Sequence, residues 1–202
     1  MTRQRKFNAV LLIGGPGSGK GTQGAVLGAF PHMQHLAMGD IFRALDGQSK
    51  IGREFLSYST KGLLVPDELT VRVWKTFVHN RVEKRELDPG RHILLLDGIP
   101  RTTDQVELMH EHVQVLKIAH FVIRDQSVLI ERLKGRALQG DRPDDADENV
   151  IRERLRVYEA STAPVLKSYD ASLIAEINAD QPPLAVLRDL ADCLAGCLPP
   201  TI

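Results

Sequence analysis

Along this chain, short runs rich in apolar residues alternate with longer stretches in which apolar positions recur every three or four residues. The short runs predict strands at Asn8–Ile13, Gln34–Ala37, His92–Asp97, Ile118–Ile123 and Leu173–Ile177. None shows the regular apolar-polar alternation of a strand with one wet face, so both faces of the sheet should be covered, which implies parallel strands under helices. The longer stretches predict helices over Gly19–Phe30, on through residue 84 after the second strand, and over Thr102–Leu116, Gln126–Ala137 and Pro183–Leu198. Within Thr102–Leu116 the stripe is Val106, Met109, Val113 and Leu116; in the arginine-rich helix that precedes the last strand it is Ile151, Leu155, Tyr158, Thr162 and Val165.

This rhythm reads as a single α/β domain of about five parallel strands with helices on both faces. Two segments interrupt it. About residues 38–84 carry more helix than one crossover needs and are expected to form a helical insert. Residues 138–146, Leu-Gln-Gly-Asp-Arg-Pro-Asp-Asp-Ala, are polar and turn-rich and are expected to form a short exposed loop able to move. The core is then 1–37, 85–137 and 147–202. In such sheets ligands sit beyond the carboxyl ends of the strands.

Composition narrows the classes. The 202 residues suffice for one well-buried core. With 26 basic and 26 acidic residues no global field draws nucleic acid or anionic membrane, so any basic site must be local. No segment approaches the ~18 apolar residues of a membrane span, and Met1–Asn8 is polar and basic without an apolar stretch of signal length behind it. A cytoplasmic protein is expected. The two cysteines, Cys193 and Cys197, share a helical face four residues apart and read as small core residues, too few for a zinc site and awkward for a disulfide. His110-Glu111-His112 reads as a solvated helix face, because adjacent helical positions point apart.

The first apolar run leads directly into Gly14-Gly15-Pro16-Gly17-Ser18-Gly19-Lys20-Gly21-Thr22-Gln23. Its glycines leave little side chain between backbone and ligand, so successive N–H groups can converge on a cluster of anionic oxygens. The helix that follows aims its N-terminal dipole at the same charge. Lys20 is placed to bridge outer phosphates as a point charge, and the Thr22 hydroxyl to reach Mg²⁺ directly or through water. The general phosphate-loop pattern has Ser or Thr immediately after the lysine; here Gly21 stands there and Thr22 comes next.

Further segments point to the same chemistry. Asp97 ends an apolar strand, where an acid would be costly unless it held an ion or its waters; Gly98 then lets backbone approach a ligand, and Arg101 can pair bidentately with phosphate. In the segment His35–Arg43 a strand ends, the chain turns at Gly39, and Asp40 is expected to cap a helix that carries Arg43 one turn on. Arg132 and Arg136 lie one helical turn apart, where two like charges repel unless an anion sits between them. On the arginine-rich helix Arg154 falls on one flank of the packed stripe, and Arg152 and Arg156 on the other as solvated charges.

In order and spacing these segments, from Gly14 to about Tyr169, resemble the nucleoside monophosphate kinases, and adenylate kinase of the short-lid type above all. The loop is similar to that family's GxPGxGKGTQ, Asp97–Gln105 to DGFPRTxxQ with Ile99 in place of Phe, Leu36–Arg43 to LSTGDLLR, and Gly62–Glu68 to GxLVPDE. The resemblance implies a P-loop NTPase-like fold that moves a phosphoryl group from MgATP to AMP, giving two ADP, with residues 38–84 as a monophosphate-binding insert and 138–146 as a lid. It implies ATP contacts at Gly15, Gly17, Ser18, Gly19, Lys20, Gly21, Thr22, Arg132, Arg136 and Gln181, with Arg132 stacked on the base. AMP contacts fall at Met38, Arg43, Leu63, Leu64, Val65, Gly98, Arg101, Gln105, Arg142 and Arg154, with Gln105 reading the adenine edge. Catalysis is assigned to Lys20, Arg101, Arg136, Arg142 and Arg154, the water shell of magnesium to Asp97 with Thr22, and ordering of the lid to Asp144 and Asp145.

The cysteine quartet of zinc-bearing long-lid relatives is missing, so no structural zinc is expected. The implied partners are ATP, AMP and ADP alone, with neither nucleic acid nor membrane, and the implied state is a monomer. The chain departs from the family pattern at Ala37-Met38, where most adenylate kinases have Ser-Thr. That removes a hydroxyl from the acceptor pocket and leaves a thioether able to pack on a purine, so a UMP/CMP kinase stands as the alternative. A nucleotide sensor without turnover is the alternative from another class, against which Lys20, Asp97, Arg101, Arg142 and Arg154 argue.

Overall fold

Five strands, all parallel, form one sheet in the order β2-β3-β1-β4-β5 in a computed structural model that describes residues 5–138 and 146–196. They are β1 (Phe7–Gly14), β2 (Met33–Ala37), β3 (Ile93–Asp97), β4 (Val113–Val122) and β5 (Ile174–Asn178). Because side chains alternate across a strand, the apolar runs divide between two faces. Ala9, Leu11, Ile13, Leu94 and Leu96 pack into one core, and Val10, Leu12, Ile93 and Leu95 into the other. A run without polar alternation is thus what a sheet covered on both sides requires.

The eight α-helices of the described residues are α1 (Lys20–Leu27), α2 (Met38–Arg43), α3 (Lys50–Ser59), α4 (Asp67–Glu83), α5 (Thr103–Met109), α6 (Gln126–Leu138), α7 (Glu148–Val157) and α8 (Pro183–Ala195). On one face, α2 to α5 pack Met38, Phe42, Phe55, Trp74 and Met109 onto the sheet. On the other, α1 and α8 supply Leu27, Val186, Leu190 and Leu194. A smaller core of Leu129, Leu133, Ile151 and Leu155 joins α6 to α7. The stripe from Ile151 to Val165 stays inward although the helix changes pitch, passing from α7 through a π-helical turn at Tyr158–Thr162 to a 3₁₀ turn at Ala163–Ser168.

Three expectations need correction. The helix predicted over Thr102–Leu116 stops at Met109, and Val113–Leu116 begins β4. Val113 and Val115 pair with Phe7 and Ala9, and Lys117 pairs with Val10, so Leu116 is a bulge residue whose extra step mimics helical spacing. His110-Glu111-His112 is accordingly the turn between α5 and β4 instead of a helix face, with the His112 ring tilted against Trp74 at 6.1 Å. Asp40 does not cap α2: the helix starts at Met38 with Ala37 at its N-cap, and the Asp40 carboxylate, inside the first turn, takes the Arg43 guanidinium. Cys193 packs half-buried at the edge of the α8 core, while Cys197 and the predicted end of that helix lie outside the described residues. Among the described residues no helix is long and apolar enough to cross a membrane.

Candidate active site

The strand register sets the site. Leu12 of β1 and Ala37 of β2 both pair with Asp97, so the loop after β1, the start of α2 and the segment after β3 meet at one end of the sheet. There a cleft of about 770 Å³ opens. Gly14 pairs with Phe121 and lies so close to β4 that an added Cβ would come within 2.7 Å of the Phe121 carbonyl oxygen. Gly17 and Gly19 hold φ at +84° and +91°, backbone that side chains rarely tolerate, and α1 begins directly at Lys20. Lys20 Nζ donates to the carbonyls of Gly14 at 2.7 Å and Gly15 at 2.8 Å and reaches Ser18 Oγ at 3.2 Å, so the ammonium is held over the loop.

Asp97 closes β3 beside it. Burial would push its carboxyl upward, but His35, Lys20 and Arg101 outweigh that and hold it below the usual carboxylate range, so it stays an anion. His35 Nε2 stands 3.6 Å from its Oδ2, just beyond hydrogen-bond length. On the loop side Gly21 faces it, and a Cβ added there would sit 3.5 Å from the same oxygen. The position that carries a hydroxyl in the general phosphate-loop pattern therefore has no side chain here and faces an ionised carboxylate. That fits Mg²⁺, which binds through one or two carboxylates and phosphate oxygens while keeping several waters. Among the described residues no cluster of three or more His, Cys, Asp or Glu is placed to cage a metal by itself.

Cations line the remainder. Arg43, Arg101, Arg132, Arg136 and Arg154 face the cleft together with Lys20, and Asp97 is the one carboxylate among its described lining residues. Gly98, at φ +80°, is overlain by the Arg101 guanidinium, Nη2 lying 2.8 Å from where a Cβ would be. The protein walls lower the Arg101 pKa, with Asp97 acting against that and Arg154 and Arg43 adding to it, although its side chain is open to the water of the cleft. Arg132 donates to the Ala179 carbonyl at 3.1 Å and Gln23 to that of Pro183 at 2.8 Å, which ties the segment before α8 to the loop end of the cleft. Gln181 lines that end with its amide donating to Asp189 at 2.6 Å.

Met38, Leu63, Leu64, Val65 and Gln105 also line the cleft, with the Phe42 and Phe55 rings stacked 4.9 Å apart. The structure thus brings nearly all the described residues singled out in the sequence, Ser18, Thr22 and Gly98 included, to one cleft. Gly15 is not among the lining residues and faces Lys20 through its carbonyl. Arg142, Asp144 and Asp145 lie outside the described residues. Arg152 and Arg156 pair with Glu148 and Glu153 on the surface, as the stripe geometry requires.

Sequence reasoning missed the stacked Phe42 and Phe55, which carry no local signal. It also read Tyr158 only as a core residue, whereas Tyr158 lines the cleft and bonds His120 at 3.1 Å, its hydroxyl pushed up to about 12 by burial and by Glu159.

A glycine loop between the central parallel strand and its helix, facing clustered cations over the carboxyl ends of the strands, defines a phosphate-loop nucleotide-binding protein of the phosphoryl-transfer kind. Comparison narrows the class: the family model described as adenylate kinase matches residues 12–174. The adenylate kinase of Kocuria rhizophila is 39% identical over 175 residues, covering 84% of this chain and 89% of that protein. That of Bifidobacterium longum is 38% identical over 175 residues, covering 84% and 90%, and that of Synechococcus sp. 34% over 194 residues, covering 93% and 96%. The chain belongs to the adenylate kinase family.

Proposed function

We propose that this enzyme catalyses the reversible transfer of the terminal phosphoryl group of MgATP to the phosphate of AMP, giving two ADP. The observation that carries the reading is the balance of the cleft wall, six cationic side chains against one lining carboxylate, which suits a nucleoside triphosphate facing a second nucleotide's phosphate. The bond from the terminal phosphorus to the bridging oxygen breaks as an oxygen of the monophosphate forms the new one. That oxygen is already anionic, so no side chain needs to act as a base, and the work of the protein is alignment and charge compensation. Lys20 and the loop N–H groups hold the donor phosphates, Arg43 the acceptor phosphate, and Arg101, Arg136 and Arg154 the charge that spreads over the moving group. Arg142 is assigned to the same group. Asp97, with the space at Gly21 and the Thr22 hydroxyl, would hold Mg²⁺ through its waters; when bound, the ion neutralises charge across the outer phosphates.

In this reading residues 38–84 take up the monophosphate, and 138–146, with Asp144 and Asp145, close as a short lid that keeps water from the phosphoryl group. The protein is taken to act as a cytoplasmic monomer without a structural metal. Purified protein is to be incubated with MgATP and, separately, AMP, UMP, CMP and GMP, with and without a chelator. ADP formation with AMP first among the acceptors, abolished by chelation, is expected. Preference for a pyrimidine monophosphate would overturn the acceptor assignment, and absence of turnover with all four would overturn the kinase reading.

A further inference from the structure

We propose that Asp67 is a positioning residue that sets which class of acceptor base the cleft takes, by holding the side-chain amide of Gln105 in one orientation. The inference rests on the kinase reading above. Gln105 is 1% exposed and borders the cleft. Its Oε1 accepts from the backbone N–H of Arg101 at 2.7 Å, and its Nε2 donates to Asp67 Oδ1 at 2.7 Å. A backbone N–H can only donate and a carboxylate only accept, so exchanging the amide oxygen and nitrogen would set donor against donor and acceptor against acceptor. Asp67 stands in the first turn of α4 and Gln105 in α5, and Gln105 N–H also bonds the Thr102 hydroxyl at 3.1 Å, so both partners are anchored at helix starts. Asp67 itself is not among the lining residues; it acts on the cleft only through Gln105.

An amide has two N–H groups and two oxygen lone pairs, so one of each remains after these bonds, in an order that cannot be reversed. Met38 offers a thioether where a hydroxyl would have stood, and Phe42, Phe55 and Val65 offer apolar surface. Adenine pairs a ring-nitrogen acceptor with an exocyclic amine donor, whereas hypoxanthine, of the same shape, presents a ring N–H donor beside a carbonyl acceptor. A fixed amide edge therefore accepts an amino base and opposes an oxo base, where a freely turning glutamine would serve both.

The test compares AMP and IMP as acceptors, reading kcat and KM for each, KM for ATP and the thermal midpoint, in the wild type and in Asp67→Asn. Asparagine keeps the shape but offers either an acceptor or a donor to Gln105, so it no longer opposes the turned amide. The preference for AMP over IMP in kcat/KM should fall about tenfold, a reversed hydrogen-bond pair being worth at least that. The change should lie in the two acceptor KM values, with KM for ATP and the midpoint unchanged. Asp67→Ala, which leaves Nε2 without its partner, should lose the preference further. A ratio within about twofold of wild type in Asp67→Asn overturns the inference. So does an equal loss for AMP, IMP and ATP with a lowered midpoint, which marks a merely structural role. Wild-type protein that phosphorylates neither purine is failure of the kinase reading itself, and the inference falls with it.

Discussion

Arg101→Ala tests the charge logic of the cleft most directly. The guanidinium lies over Gly98 with Asp97 as its neighbouring anion and Arg43 and Arg154 as neighbouring cations. In the nucleotide-free protein its loss relieves repulsion from Arg43 and Arg154 and removes the attraction of Asp97, with which it forms no ion pair, so the fold should be close to unaffected. With both nucleotides bound the balance reverses, because the arginine is then among the groups facing the moving phosphoryl. Hydrogen bonds to charged groups contribute about 1.5–3 kcal/mol, and a preorganised donor at developing charge about 2.7–4 kcal/mol, or about 10² to 10³ in rate. The expected fall in turnover is therefore at least ~100-fold, with ATP affinity little changed because Lys20 and the loop hold the donor. Steady-state rates in both directions, ATP titration and thermal unfolding of the same preparation separate these effects. A folded Arg101→Ala protein within about tenfold of wild-type turnover would refute the reasoning.

Two further outcomes follow from packing and titration. In Gly24→Ala the new Cβ would lie 2.4 Å from His35 Nε2 and 2.5 Å from Cδ2, so the ring beside Asp97 must move; overpacking of this kind costs ~1–3 kcal/mol and should lower the thermal midpoint by ~2–4 °C per kcal/mol. An unchanged midpoint would mean the ring yields freely. Burial lowers the pKa of His120 below 6.5, with Glu176 acting against that and Lys20 adding to it. The unfolded chain then binds the proton more readily, so stability is full above the unfolded pKa and declines as pH falls from there toward the folded value. Urea unfolding at several pH values should show that decline, and it should be shallower in His120→Gln, which keeps an acceptor for Tyr158; equal slopes in the two proteins would show that His120 contributes nothing. His112, also lowered by burial, contributes to the slope that remains.

The strands were legible because a sheet covered on both sides leaves unbroken apolar runs, as in Leu94-Leu95-Leu96, and the phosphate loop because its backbone demands glycine. The start of β4 was not, since the bulge at Leu116 reproduces helical spacing over Val106, Met109, Val113 and Leu116. Arg154 could be separated from Arg152 and Arg156 by face alone, because all three share one helix with a clear apolar stripe. Contacts between distant segments left no comparable trace. Nothing local in Phe42 and Phe55 announces that their rings stack, and nothing in Asp67 announces Gln105, 38 positions later. Those pairings follow from how different helices, α2 with α3 and α4 with α5, are laid on the same sheet face, which periodicity within any one helix does not encode.

The bond from Gln23 to the Pro183 carbonyl spans 160 residues and joins α1 to the first residue of α8. Synthesis proceeds from the N-terminus, so the glycine loop is made early and the wall beside it late. The cleft wall formed by Ala179, Gln181 and Pro183 is therefore in place only once α8 has packed against α1, although the loop it borders was made some 160 residues earlier.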